Sequence, residues 1–165
     1  MGDSPLNSEI DPLRGQKAQL YEGGIRVCAF VNWPGKLTPR KFTTPIHVVD
    51  WFPTIASLVG YKPEADLKWD GVNQWPALTD TISNVSQRTI YIAMNGGHAL
   101  RHGDWKLIVT DTETPQLFNI ATDPFEKEDV AKSHPEKVAD LQKLLTEHQA
   151  KDNMQLPEDL VGLPK

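Results

Sequence analysis

The sequence predicts an α+β fold, on three observations. Four short β-like runs lie between residues 89 and 120, separated by turn residues, and an amphipathic helix follows them. A shorter helical pattern lies well ahead of the runs, beyond one continuous apolar segment. Strands clustered together and followed by a helix favour an antiparallel sheet covered on one face, because each element must bury its apolar side against another layer.

Taken in order, residues 1 to 24 read as a loop-rich lead-in. Ile25 to Val31 is a nearly continuous apolar run stopped by Trp33-Pro34-Gly35, the pattern of a buried strand, and it makes Cys28 a small core residue. Asp50 to Val59 reads as a short helix: Asp50 is the candidate cap, Pro53 falls in the first turn and Gly60 supplies a left-handed stop. Phe52, Ile55, Ala56 and Val59 recur at helical spacing and are expected to face a core. Residues 63 to 88 hold prolines, Gly71 and several Asn, Ser and Thr residues without periodicity, and read as a surface connection.

The β-like runs are Thr89 to Met94, His98 to Arg101, Trp105 to Thr110 and Gln116 to Ile120. Their separators, Asn95-Gly96-Gly97, His102-Gly103-Asp104 and Asp111 to Pro115, suit hairpins, so the runs are expected to form an antiparallel meander. A helix follows from Pro135 to Ala150, with Ser133 and Glu136 as a capping box. Val138, Leu141, Leu144 and Leu145 make one apolar stripe, expected to lie on one face of the meander. The tail, Lys151 to Lys165, reads as an extended arm.

Composition excludes several classes. With 39% hydrophobic and 24% charged residues in a chain of 165, neither disorder nor a membrane protein is indicated. A net charge of −5 with no Lys or Arg run argues against nucleic acid as a partner. No stretch approaches the roughly 18 apolar residues of a membrane span, and the first residues carry no leader pattern. No membrane contact is expected. The single cysteine, Cys28, excludes an internal disulfide and a multi-cysteine zinc site.

The strongest chemical signal is PLRGQKAQLYEGGIR, Pro12 to Arg26. Lys17 lies between Leu13-Arg14-Gly15 and Glu22-Gly23-Gly24, whose paired glycines permit positive φ and close backbone approach. A lysine there can hold an anionic substrate group as a point charge, although by residue type alone its commoner role is a solvated loop lysine. His98 and His102 share a face if their strand is unbroken, which suggests a metal pair or a base. The Gly103 turn favours a solvated hairpin instead, and two histidines leave a zinc site short of ligands. His47 reads as a packed or capping residue, and His134 and His148 as helix-start and helix-surface residues. The five tryptophans are scattered in a way that suits core and turn packing, and Asn84-Val85-Ser86 is a formal glycosylation sequon.

PLRGQKAQLYEGGIRV resembles the segment of type I sulfatases, within the alkaline-phosphatase-like superfamily, that follows their late metal-binding Asp-Asn pair. Four further segments resemble the same family in the same order: NWPG (Asn32 to Gly35), HVVDWFPTIASLVG (His47 to Gly60), ALRHGDWKLI (Ala99 to Ile108) and LFNIATDPFEKEDVA (Leu117 to Ala131). Asp70-Gly71-Val72-Asn73 is similar to the family's link between its large and small domains, and His-x-x-Asp-Trp-x-Pro-Thr is nearest to the arylsulfatase B-like branch.

The resemblance implies a division into the end of a large α/β domain (1–62), a connection (63–88), a small sheet-plus-helix subdomain (89–150) and a tail (151–165). It also implies sulfate-ester hydrolysis, in which a formylglycine nucleophile works beside a calcium ion held by three Asp and one Asn. Lys17 matches the lysine that contacts the sulfate group. Arg14 matches less clearly, and serves either to brace the loop through a carboxylate or to meet substrate. Neither calcium nor formylglycine is expected in this chain: Cys28 is followed by Ala29-Phe30-Val31-Asn32 rather than the nucleophile motif, and no Asp-Asn pair precedes Pro12. The expectation is therefore a C-terminal sulfatase fragment, inactive alone, that meets a sulfate ester only when an N-terminal half completes it. The alternatives are a stand-alone module that self-associates as a homo-oligomer or binds another chain, and one half of a split enzyme. Family members are usually exported or lysosomal, and the compartment of this chain stays open.

Overall fold

A computed structural model describes residues 12–79, 88–94 and 96–152. The expected tail beyond residue 152, the sequon at Asn84-Val85-Ser86, Asn95 of the first hairpin turn and the stretch before Pro12 lie outside the described residues.

The meander forms as expected. Strands β1 (Thr89–Met94), β2 (Gly97–His102), β3 (Trp105–Thr110) and β4 (Gln116–Asn119) pair antiparallel in consecutive order. Gly96 and Gly103, at φ +86° and +59°, take the left-handed turn positions that the glycines were expected to supply. The register sets Ile92 against Ala99 and Ala99 against Ile108, and on the opposite face Leu100 against Leu107 and Leu107 against Leu117. Alternation therefore gives the sheet two apolar faces.

The C-terminal helix (Pro135–Gln149) covers one of them. Leu141 and Leu145 are buried with Leu100, Leu107 and Leu117, and Val138 and Leu144 pack at the margin, so the predicted stripe is the docking stripe. The predicted capping box does not form. A 3-10 turn over Ala131–Ser133 moves the helix start one residue on, which makes His134 the cap and Glu136 the second helical residue. Ser133 Oγ is then 2.9 Å from the Val130 carbonyl oxygen, to which it donates.

The opposite face is covered by the lead-in segment, a layer that periodicity did not reveal. Leu20 is buried with Ala99, Ile108, Phe118 and Ile120, and Tyr21 packs at its margin. Glu22–Ile25 makes a single helical turn. The molecule is thus layered here as helix, sheet and loop.

The stretch between this turn and the connection departs most from expectation. Residues 26 to 33 form no strand, and Cys28 is exposed rather than a core residue. A strand exists only through a ladder partner, and none lies beside this run among the described residues. Val27 is 83% and Phe30 93% exposed, so the apolar pattern stands without a layer to bury it. Trp33-Pro34-Gly35 does form a turn, with the Lys36 and Leu37 N–H groups donating to the Trp33 carbonyl and Gly35 at φ +77°, but no strand precedes it.

The short helix spans Trp51–Leu58, preceded by a 3-10 turn over Val48–Asp50, and Gly60 takes φ +72° as expected. Its buried face was misassigned: Pro53 and Thr54 are buried, whereas Phe52, Ile55 and Val59 are exposed. Helical spacing marks the apolar stripe, yet no layer covers that stripe among the described residues. The connection holds one more helical turn, Trp75–Leu78.

Candidate functional site

Lys17 is exposed at the tip of the loop that covers the sheet, with no hydrogen-bond or ion-pair partner among the described residues. The loop around it is tightly built. Gly15 has φ +83° and Ala18 +68°, and the Gln16 N–H donates to Gln19 Oε1 at 2.9 Å while the Gln19 N–H returns to the Gln16 carbonyl. Gly23 and Gly24 were expected to supply positive φ, but Gly15 carries it. Their other expected property, close approach, holds: the Gly23 N–H donates to the Arg14 carbonyl at 2.7 Å, and a Cβ on Gly23 would lie 2.6 Å from that oxygen. Any side chain there would force the loop open.

Arg14, itself exposed, supports the start of the loop. Its guanidinium sits 4.0 Å from the Tyr21 ring centroid, and its NH1 donates to the Glu126 carbonyl at 2.9 Å. It braces the loop through a ring and a backbone carbonyl. Tyr21 continues the contact by donating its hydroxyl to Gln116 Oε1 on β4 at 2.6 Å.

Three residues that sequence reasoning passed over hold this arrangement together. Lys106 on β3 is 1% exposed and Glu126 0%, and Glu22 is 3% exposed. The Lys106 Nζ lies 2.9 Å from Glu22 Oε1 and 2.7 Å from Glu126 Oε1. Glu126 Oε2 accepts the Glu22 backbone N–H at 2.6 Å. Burying a charge is tolerated only when it is paired, and here one ammonium serves two carboxylates. Burial raises the Glu126 carboxyl above its ordinary range, against the opposing pull of Lys106. All three residues sit inside the singled-out segments, in Glu-Gly-Gly, Asp-Trp-Lys and Asp-Pro-Phe-Glu. The signal was a charged residue repeatedly placed beside turn chemistry.

A second buried centre forms around Asp50. Its carboxylate does not cap the Trp51–Leu58 helix, contrary to expectation. It accepts the His47 N–H at 2.8 Å and the Val72 N–H at 2.9 Å, and pairs with the Arg88 guanidinium. Thr54 completes the centre: its hydroxyl donates to the Asp50 carbonyl at 2.6 Å and accepts the Gln74 N–H at 2.9 Å. Asp50 and Thr54 therefore tie residues 72 to 74 and Arg88 to the helix. His47 is the cap residue of the 3-10 turn, as its position suggested. Burial first, and the nearby Arg88 charge second, lower its pKa, against the pull of Asp70.

His98 and His102 are half-buried rather than solvated, and each is engaged with β1. His98 Nδ1 is 3.0 Å from the Tyr91 hydroxyl, and His102 Nδ1 is 2.8 Å from Thr89 Oγ1. No group of three or more His, Cys, Asp or Glu residues that could hold a metal ion occurs among the described residues. The buried acids fit a calcium ion poorly, since Glu22 and Glu126 face Lys106, and Asp50 faces Arg88 and two backbone N–H groups. No described helix is long and apolar enough to cross a membrane.

The sheet with its covering helix is similar to part of known sulfatases, and the similarity runs over most of this chain. The chain is 29% identical over 147 residues to an N-acetylgalactosamine-6-O-sulfatase of Bacteroides thetaiotaomicron, a match that takes in 80% of this chain and 29% of that protein. It is also 29% identical to arylsulfatase J of Mus musculus, over 75% of this chain and 29% of the relative. Among solved structures, Ps i-CgsB in complex with k-i-k-neocarrahexaose superposes with a TM-score of 0.74 at 32% identity, covering 88% of this chain and 33% of that one. A structure from work on glycosaminoglycan metabolism by Bacteroides thetaiotaomicron gives a TM-score of 0.76 at 29% identity, covering 84% of this chain and 32% of that one. The chain spans about a third or less of the length of these relatives. No protein-family model matches it.

Proposed function

We propose that this chain is the C-terminal portion of a sulfatase, a sulfuric ester hydrolase, that it contributes Lys17 to the sulfate site, and that it is inactive alone. The observation that carries this reading is the Lys17 loop itself, an exposed ammonium with no partner among the described residues on a loop braced from behind by Arg14, Tyr21 and Glu22. A lysine with no partner suits the oxygens of a sulfate ester, which carries one negative charge, because its own charge is not already neutralised and the loop backbone that bears it is braced before substrate arrives. Arg14 serves the loop in this reading rather than the substrate, being engaged with the Glu126 carbonyl and the Tyr21 ring.

In a complete sulfatase, formylglycine supplies the nucleophile and calcium neutralises sulfate oxygens. In this reading both belong to the remaining part of the enzyme. The uncovered apolar residues Val27 and Phe30, with Phe52, Ile55 and Val59 on the short helix, support a missing layer that this part would provide. The same exposed row supports the second reading, a stand-alone module that hides the row against a second copy of itself.

Hydrolysis of a chromogenic aryl sulfate by the purified chain with added calcium tests the first reading, with Lys17→Ala alongside. No turnover above the variant is expected. Turnover that disappears in the variant contradicts it, because the chain would then carry a complete centre. Solution size separates the second reading, which requires a discrete symmetric oligomer.

A further inference from the structure

We propose that Lys106 is a positioning residue: by holding Glu22 and Glu126 together, it clamps the Lys17 loop to the small sheet so that the sheet sets where the Lys17 ammonium stands. This deepens the sulfatase reading, and rests on it only for the role of Lys17.

The geometry carries the argument. Lys106 lies on the face of the sheet opposite the C-terminal helix, in register between Arg101 and Phe118. That face carries Ala99, Ile108 and Phe118, an apolar setting in which an alkyl residue would pack at lower cost than a charge. Lys106 instead brings its ammonium to two acids that belong to different segments. Glu22 is five residues beyond Lys17, in the same loop, and Glu126 ends the turn after β4. The second acid does two things at once, since Oε1 meets Lys106 and Oε2 takes the Glu22 N–H. Glu126 itself stands at φ +54°, a conformation unfavourable for a residue with a side chain, and its carbonyl accepts from Arg14. Both ends of the Lys17 loop, Arg14 and Glu22, therefore reach the same turn residue. A hydrophobic contact alone, such as that of Leu20, fixes depth but not direction; one charge-assisted hydrogen bond and one ion pair from the same ammonium fix both.

Hydrogen exchange followed by mass spectrometry on the full chain tests this, comparing the wild type with Lys106→Met and Glu126→Gln. The clamp predicts that peptides covering residues 14 to 26 exchange about tenfold faster or more in Lys106→Met, led by the Glu22 amide, while peptides covering β2 and β3 stay within about twofold of wild type. If Lys106→Met does not fold, Glu126→Gln decides alone, since it keeps one acceptor oxygen for the Glu22 N–H and replaces the oxygen that meets Lys106 by an uncharged NH2 donor. It should open the same peptide to a smaller degree. Unchanged exchange in residues 14 to 26, or equal loss over loop and sheet, overturns the clamp. Neither result bears on whether Lys17 meets sulfate, which the hydrolysis comparison reads separately.

Discussion

Asp50 shows how a single side chain can be read correctly in place and wrongly in role. The sequence puts an aspartate where a helix begins, and capping is the commonest use of that position. The structure gives its carboxylate to the His47 N–H, closing a capping box across the preceding 3-10 turn rather than capping the Trp51–Leu58 helix, and to the Val72 N–H and the Arg88 guanidinium. These partners lie 3, 22 and 38 residues away, so only His47 was in view of a local reading. Replacing Asp50 by Ala leaves Arg88, whose side chain is 8% exposed, buried without its counter-ion. Breaking such a pair costs about 3–5 kcal/mol, and urea unfolding of Asp50→Ala against wild type is expected to show a loss of that size. The Lys17 loop was legible as a motif, but its supports were not. Glu22, Lys106 and Glu126 meet across 84 and 104 residues of chain, and no spacing rule connects positions so far apart.

Elements were legible where the neighbour that buries them lies close in sequence. The four strands and the C-terminal helix fall within a residue or two of their expected limits, because each hairpin turn and the apolar stripe are local signals with local partners. Leu145 tests that packing. It is 3% exposed and touches the Leu100, Leu107 and Leu117 cluster, so Leu145→Ala removes buried methyl groups and leaves a cavity. The expected loss is about 2–5 kcal/mol, read by thermal or chemical unfolding. The same reasoning failed for residues 25 to 31 and for the outward side of the Trp51–Leu58 helix. Their apolar patterns are genuine, and pattern alone cannot say whether a covering layer is present. The Cys28 assignment failed for that reason and no other. The capping box at Ser133 and Glu136 failed differently, since one extra 3-10 turn shifts the helix start and spoils a motif that depends on a fixed three-residue spacing.

At the scale of the molecule, the early loop and the C-terminal helix cover opposite faces of one sheet. The lead-in loop lies on the sheet formed by the later residues, giving a helix–sheet–loop stack, while the middle of the chain displays uncovered apolar side chains. That contrast, with a match to a third or less of each relative, underlies the proposal that the chain works as one part of a sulfatase. The most direct test is complementation. The chain is coexpressed with the N-terminal two thirds of a related sulfatase, carrying its nucleophile and calcium ligands, and aryl sulfate hydrolysis by the purified complex is measured with wild-type chain and with Lys17→Ala. The account predicts a stable complex, activity that neither part has alone, and a loss of at least about 100-fold on removing the Lys17 charge, the scale of one transition-state electrostatic contact. Failure to form a complex, or a complex equally active with Lys17→Ala, would contradict it.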